Sequence, residues 1–215
     1  MTRGRALRAV SAALVALLSA CAGGPRVPDW SVQAVGHVER ASTAWLAGDT
    51  RVGEREFALA RAAVARTGRP DLVARVELTR CALRVASLDF APCTSFEALR
   101  QDADAAERAY ADYLYGSVDA AALVLLPPQH RAIAAGGDAV AVIADARARL
   151  VAAGVLLRQQ RASPAVAAEA ADTASAEGWR RPLLAWLGVQ ARLAELRGDG
   201  VEAARLRRRM DLVQP

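Results

Sequence analysis

The sequence lacks the residues and motifs on which common enzyme sites depend. Its 215 residues include two histidines, His37 and His130, and no lysine, so every basic residue is an arginine. No HxxxH, HExxH or CxxC spacing occurs, whereas a metal site usually takes about three or four ligands at recognisable spacing. No GxSxG turn is present to carry a serine nucleophile. We therefore predict no enzyme activity, no catalytic residue, no metal and no cofactor, and interpret both histidines as surface or turn residues.

The sequence also lacks a strong excess of one charge. The whole chain has 28 basic and 23 acidic residues, but three of the basic residues and none of the acidic ones precede residue 21. The rest of the chain therefore carries 25 basic and 23 acidic residues. A balance this close does not give the basic surface that is typical of nucleic-acid binding, and we expect no nucleic-acid partner.

The first 20 residues have three zones. Arg3, Arg5 and Arg8 make a basic start, Ala9–Leu18 is apolar apart from one serine, and Ser19-Ala20 is small. This order is typical of a secretory signal peptide. The apolar zone is shorter than the run of about 20 residues that a bilayer-spanning helix needs. Residues 1–20 are therefore predicted to be a signal peptide.

The stretch Leu18-Ser19-Ala20-Cys21 resembles the lipobox of bacterial lipoproteins. The resemblance implies cleavage before Cys21, diacylglycerol on its thiol and a further acyl chain, such as palmitate, on the new amino group. Two or more such chains anchor a protein stably, since each buried methylene contributes about 0.8 kcal/mol. Ala22 is not an aspartate, which implies the outer membrane and a body facing the periplasm. Residues 21–30 are then a lipidated N-terminus and a short tether.

Two cysteines remain when Cys21 carries lipid. Cys81 and Cys93 form an even pair in an oxidising compartment, which favours a disulfide. Cys81 lies about 10 Å before an expected helix end near Leu88, and Asp89–Pro92 can turn the chain back over that distance. The alternative is two separately buried thiols.

The composition after Trp30 predicts helices and no strands. Alanine, leucine and arginine are strong helix formers, and sustained alternation of β-branched residues is missing. Glycine- and proline-containing breaks separate about eight or nine segments of helical length. Residues 31–215 are therefore predicted to form an all-α domain.

Two local patterns in the middle of the chain make this prediction more specific. Apolar residues from Phe96 to Tyr113 recur at alternating spacings of three and four, which predicts one helix. Thr94 and Glu97 form a capping box at its expected start. Pro127-Pro128 must break or restart a helix within 118–135.

The two ends of the domain share a turn. Gly48-Asp49 and Gly198-Asp199 each suit a left-handed helix stop followed by an N-cap. With the small and large residues around it, this turn resembles the tetratricopeptide repeat (TPR). The first copy offers Ala41, Gly48, Gly53, Phe57 and Ala60. The last offers Ala191, Gly198, Ala203 and Met210, but has Arg207 where the pattern has a large apolar residue. Residues 69–160 do not match, so the antiparallel helical hairpins form either a TPR-like array or an irregular bundle.

Four side chains are candidates for contact with a partner, because aromatic residues and arginine are favoured at contact surfaces. These residues are Tyr115, Trp179, Arg180 and Trp186. Packing between helices is the alternative interpretation for the tryptophans.

The resemblance to TPR lipoproteins implies a protein-binding scaffold in envelope assembly or maintenance. Its partners would be the outer membrane, through the lipid, and an envelope protein. The scaffold interpretation predicts an exposed groove lined by the first helices of the hairpins. The alternatives are a carrier of an apolar ligand in a helical-bundle cavity and a cell-wall enzyme. The enzyme would require His37 and His130 to meet beside a carboxylate in a pocket.

Overall fold

The computed structural model describes residues 28–214, so the predicted signal peptide and the lipidation site at Cys21 lie outside the described residues. Within this range the fold is all-α, with no strand. The α-helices are α1 (Asp29–Ala47), α2 (Thr50–Ala65), α3 (Pro70–Ala86), α4 (Thr94–Glu97), α5 (Ala105–Tyr115), α6 (Pro128–Ala134), α7 (Ala146–Arg158), α8 (Pro164–Ala176), α9 (Arg180–Leu196) and α10 (Gly200–Val213). Single 3-10 segments are at Arg100–Asp102, Ala120–Leu125 and Val140–Val142.

Helices α1 and α2 form the first hairpin, as the sequence predicts. Gly48 ends α1 in the left-handed conformation, with φ of 94°. The Asp49 side chain then caps α2 by accepting a hydrogen bond of 3.0 Å from the backbone N–H of Val52. The helices approach closely at Gly53, where an added Cβ would lie 3.3 Å from the backbone nitrogen of Trp45.

Local caps also separate the last three helices, and the turn at Gly198-Asp199 lies where the sequence predicts it. Ser163 caps α8 with Pro164 in the first turn. Gly198, with φ of 74°, ends α9, and the Asp199 side chain accepts a hydrogen bond of 3.0 Å from the backbone N–H of Glu202 to cap α10. Local capping chemistry therefore decides where these helices stop and start.

The prediction of one helix from Phe96 to Tyr113 is wrong. The chain makes one helical turn at α4 and a 3-10 turn, and Ala103 is extended, with ψ of 149°. A new helix, α5, then begins at a capping box formed by Asp104 and Glu107 rather than by Thr94 and Glu97. Within the predicted stripe, Phe96 and Ala103 are buried, Ala106 is exposed, and Tyr110 and Tyr113 share one face of α5.

Pro127-Pro128 restarts a helix, and Pro128 occupies the first turn of α6. Proline is favoured there because the first N–H groups of a helix have no internal partner.

Helix α3 takes part in two apolar cores. Val73, Val76 and Leu83 pack in the core of the first hairpin, whereas Leu78 and Val85 pack in the larger core with α5 to α10.

The predicted pairing of Cys81 with Cys93 agrees with the structure, which places the two cysteines at disulfide distance, with their Cα atoms 5.9 Å apart. This link joins the C-terminal part of α3 to the segment that returns toward α4.

The first hairpin also contacts the start of α9. The Arg181 guanidinium lies 4.2 Å from the centre of the Trp45 ring and donates hydrogen bonds to the Trp45 carbonyl oxygen, at 2.7 Å, and to the Thr50 hydroxyl, at 2.6 Å. The first hairpin therefore contacts α9 directly, which connects the first and last thirds of the domain.

We predict that Gly154→Ala destabilises the protein. An added Cβ at this α7 position would overlap the carbonyl oxygen of Val85 and lie 2.9 Å from its Cγ1. Because overpacking a close helix contact forces the backbone apart, the free energy of unfolding should fall by about 1–3 kcal/mol in denaturant titrations. Gly200→Ala is the matched control, since nothing lies within 4 Å of its added Cβ and no positive φ is present. Equal stability of the two variants would contradict the prediction.

Reduction of the Cys81–Cys93 pair should lower the free energy of unfolding by about 3 kcal/mol, because it frees a loop that the bond closes in the unfolded chain. Denaturant titrations with and without reductant, in a Cys21→Ser background, measure the difference. A further Cys81→Ala, Cys93→Ala variant is the control and should not respond to reductant. If the titration curves of the parent protein also coincide, the two thiols are not bonded.

Candidate functional site

An open groove runs over α3, between α1 on one side and the segment from α5 to Pro127 on the other. It consists of two adjoining depressions of about 330 and 230 Å³ that share Arg75 and Thr79. The first is lined by Trp30, Ser31, Ala34, Val35, Val38, Glu39, Val64, Leu72, Arg75, Val76 and Thr79. The second is lined by Arg75, Leu78, Thr79, Ala106, Glu107, Tyr110, Leu125 and Pro127. The groove is thus lined largely by apolar side chains, and we refer to it as the α3 groove.

The wall formed by α1 follows from helical spacing. Trp30, Ala34 and Val38 recur every four residues and therefore lie on one side of the helix. Val35, beside them, is 68% exposed, and Leu125 on the opposite wall is 42% exposed. Apolar side chains are therefore accessible from solvent on both walls of the α3 groove.

The charged residues of the α3 groove pair with one another. Arg75 donates from Nε and Nη2 to Oε1 of the buried Glu107, at 2.8 and 2.5 Å. At the far end Glu39 of α1 pairs with Arg147 of α7, with an Nη1–Oε2 distance of 2.9 Å. The hydrogen bonds from Arg147 lower the pKa of Glu39, so this pair stays charged at neutral pH. Because the charges are paired, the groove has no marked electrostatic preference.

Beyond Thr79 the groove reaches a third depression, of about 260 Å³, whose lining includes several polar side chains. Its lining residues are Ser42, Thr79, Ala82, Leu83, Tyr110, Pro127, Gln129, His130, Asp145, Arg147, Ala148 and Val151. We call it the end chamber. It lies where α3, α5, α6 and α7 meet, next to the Glu39–Arg147 pair.

The prediction that His130 is a surface or turn residue is wrong, because its side chain is buried beside the end chamber. The ring is 2% exposed and lies 4.9 Å from the Tyr113 ring and 5.6 Å from the Tyr110 ring, between centroids. Its Nδ1 is 3.2 Å from the Tyr113 hydroxyl. Burial lowers the pKa of His130 from 6.5 to about 4, and burial raises the pKa of both tyrosines. All three groups are therefore neutral at pH 7.

His37 occupies a different place. Its Nδ1 is 2.7 Å from Oε2 of Glu56 on α2, and Arg40 contacts the same two groups. The hydrogen bond from His37 is the main cause of the lowered pKa of Glu56. The structure thus places the histidines in separate clusters, which is not the arrangement that the enzyme alternative requires.

The four residues predicted to contact a partner mostly make internal contacts. Trp186 is fully buried and its indole N–H donates to the Ala86 carbonyl oxygen at 3.3 Å, so its prediction as a contact residue is wrong. Tyr115 is half-buried, and its hydroxyl accepts a hydrogen bond of 3.1 Å from the backbone N–H of Cys93. Trp179 packs against both cores. The Arg180 guanidinium lies over Gly48, and a Cβ added to Gly48 would be 3.0 Å from it.

The residues that line the α3 groove were not identified from the sequence. The spacing of Trp30, Ala34 and Val38 was available as a signal, but the same spacing describes any helix face that packs in a core.

Within 28–214, no group of three or more histidine, cysteine or acidic residues is placed to hold a metal ion. None of the helices in that range combines the length and the hydropathy that crossing a bilayer requires.

We predict that acidification destabilises the protein through His130. Burial lowers the pKa of His130 from its ordinary value of 6.5 to about 4 in the folded state, so the unfolded chain binds the proton more readily. The stability from this group is complete above pH 6.5 and is lost as the pH falls toward 4, by about 3 kcal/mol in total. His130→Gln removes the titration and is the comparison. If the stabilities of both proteins change in parallel between pH 7 and pH 4, burial of a neutral His130 is refuted.

The chain matches none of the protein-family models, curated proteins or solved structures with which it was compared. The TPR resemblance and the lipobox therefore stay predictions from the sequence.

Proposed function

We propose that this chain is a lipid-anchored periplasmic scaffold that holds an envelope protein in the α3 groove. The observation that carries the proposal is the accessible apolar lining of the groove, with exposed Val35 and Leu125 on opposite walls. Exposed apolar surface with polar residues around it is typical of interaction sites. One of the lining helices, α1, is the first helix of a hairpin, which is what the scaffold interpretation expects at a concave surface.

The dimensions of the groove suit a polypeptide segment. From Trp30 to Ser42, α1 rises about 18 Å along the groove and the end chamber, at 1.5 Å per residue. That length matches about three turns of a docked helix, which would place its apolar face on Val38, Val76 and Leu125. The paired charges around the groove favour a partner that binds through apolar side chains.

The predicted anchor would set the position of this groove. Residues 22–29 join Cys21 to the start of α1, and eight extended residues span at most about 29 Å. Trp30, at one end of the groove, would then lie within roughly that distance of the lipidated residue.

An apolar-ligand carrier is the alternative function. It needs an enclosed cavity, so that most of the ligand surface leaves water. The 68% exposure of Val35 argues for the scaffold, because a single apolar molecule in the groove would remain in contact with solvent.

Photo-crosslinking in cells tests the proposal. We expect benzoylphenylalanine in place of Val35 to capture one reproducible envelope protein, whereas the same group in place of Val201 should not. Val201 is the matched control, since it is also an exposed valine, at 83%, and lies on α10 outside the groove. Cys21→Ser should abolish the crosslink if the anchor sets the position of the groove. Mass spectrometry identifies the captured protein.

Equal capture from positions 35 and 201 would contradict the proposed use of the groove. A crosslink at position 35 that survives Cys21→Ser would support the groove and contradict the part played by the anchor. If no protein is captured at position 35, native mass spectrometry of the purified lipoprotein tests for a bound lipid.

A further inference from the structure

The end chamber holds hydrogen-bonding groups that the fold does not use. Tyr110, His130 and Asp145 all line it. Among residues 28–214, neither the Tyr110 hydroxyl nor Nε2 of His130 makes a hydrogen bond, and both residues line the chamber.

The tautomer of His130 follows from its partner. The Tyr113 side chain is fully buried, and its hydroxyl has His130 Nδ1 as its one recorded partner among residues 28–214. A buried phenol proton without an acceptor is costly, so the hydroxyl donates and Nδ1 accepts. The neutral ring then carries its proton on Nε2. His130 consequently offers an N–H donor on the side of the ring that faces away from Tyr113.

The chamber also has a carboxylate acceptor. Asp145 accepts a hydrogen bond of 2.7 Å from the backbone N–H of Ala148, through Oδ1, at the start of α7. Its Oδ2 remains as an acceptor. Arg147, the nearest cation along the chain, is held by Glu39. The chamber therefore offers two neutral donors, His130 and Tyr110, and one anionic acceptor.

We infer that the end chamber binds a neutral amide group of the polypeptide that occupies the α3 groove. The His130 Nε2–H and the Tyr110 hydroxyl donate to the amide oxygen, and Asp145 accepts from the amide N–H. An anionic group would be repelled by Asp145, and a cationic one would face both donors. This inference rests on the proposed function for the source of the amide, but the binding chemistry is a property of the chamber alone.

Other polar groups around the chamber are consistent with this assignment. Ser42 donates its hydroxyl proton to the Val38 carbonyl oxygen at 2.8 Å, and Thr79 donates to the Arg75 carbonyl oxygen at 3.0 Å. Both hydroxyls are therefore satisfied within their own helices. They do not compete for the amide. Of the other polar lining residues, Arg147 is paired with Glu39, and Gln129 adds an uncharged carboxamide beside His130, Tyr110 and Asp145.

The test uses N-methylacetamide as the probe and the His130 imidazole as the reporter. Nitrogen NMR of the free protein should show a proton on Nε2 and none on Nδ1. Titration with N-methylacetamide should give a saturable shift of the Nε2 signal. Methyl acetate, which keeps the carbonyl oxygen but has no N–H, should bind at least about tenfold more weakly, because it loses the hydrogen bond to a charged acceptor. This control removes the contact without disturbing the Asp145 cap.

Tyr110→Phe is the matched protein variant, because it removes the hydroxyl and keeps the ring. It should weaken N-methylacetamide binding about two- to tenfold and leave the thermal unfolding temperature close to that of the parent protein. Three results would each overturn the inference: a proton on Nδ1, no saturable shift with N-methylacetamide, or equal affinities for N-methylacetamide and methyl acetate. Unchanged affinity in Tyr110→Phe would remove Tyr110 from the site and overturn the three-group assignment.

The outcome is separable from the proposed function. Amide binding together with no crosslink from position 35 would leave the chamber as a site for a small amide and contradict the scaffold. A crosslink at position 35 together with no response to N-methylacetamide would support the scaffold and overturn the chamber inference.

Discussion

Helix α3 is packed from two sides, and the positions of the surrounding helices depend on it. Val76 and Leu83 pack against the first hairpin, whereas Leu78 packs in the larger core, so a shift of α3 would open both. On one side α7 approaches so closely that Gly154 has no room for a side chain over Val85. Interiors packed this tightly do not tolerate small displacements. The remaining stripe of α3 faces the groove, which explains why a rigid helix forms its floor.

The far wall of the groove depends on a single carboxylate. Oε1 of Glu107 accepts hydrogen bonds from Arg75 on α3, and Oε2 accepts one of 2.8 Å from the backbone N–H of Asp104 at the start of α5. The residue that caps α5 thus also ties it to the floor. The helix break at Ala103 frees the backbone N–H of Asp104 for this hydrogen bond, although the apolar spacing of the sequence continues. Buried polar groups need such partners.

Local sequence patterns predicted the turns, caps and pairings that depend on residues close together in the chain. The turns at Gly48 and Gly198 and the pairing of Cys81 with Cys93 need a few residues each, and the structure agrees with them. The groove depends on how α1, α5 and α6 lie around α3, which no local pattern encodes. His130 was assigned wrongly for the same reason. Its neighbours in the sequence are polar or proline, and its burial comes from Tyr110 and Tyr113 on another helix.

The polar lining of the end chamber is more than the fold requires. A phenylalanine at position 110 could pack against the same neighbours, and an apolar residue at position 130 would avoid the cost of burying an imidazole. The Tyr113 hydroxyl would then need no acceptor, so the whole cluster could be apolar. The lowered pKa of His130 shows that its burial works against the charged form and therefore against stability in mild acid. The cluster of Tyr110, Tyr113 and His130 lowers stability in mild acid and leaves the Nε2–H donor of His130 without a protein partner within 28–214. Binding of a ligand explains these two properties better than packing does.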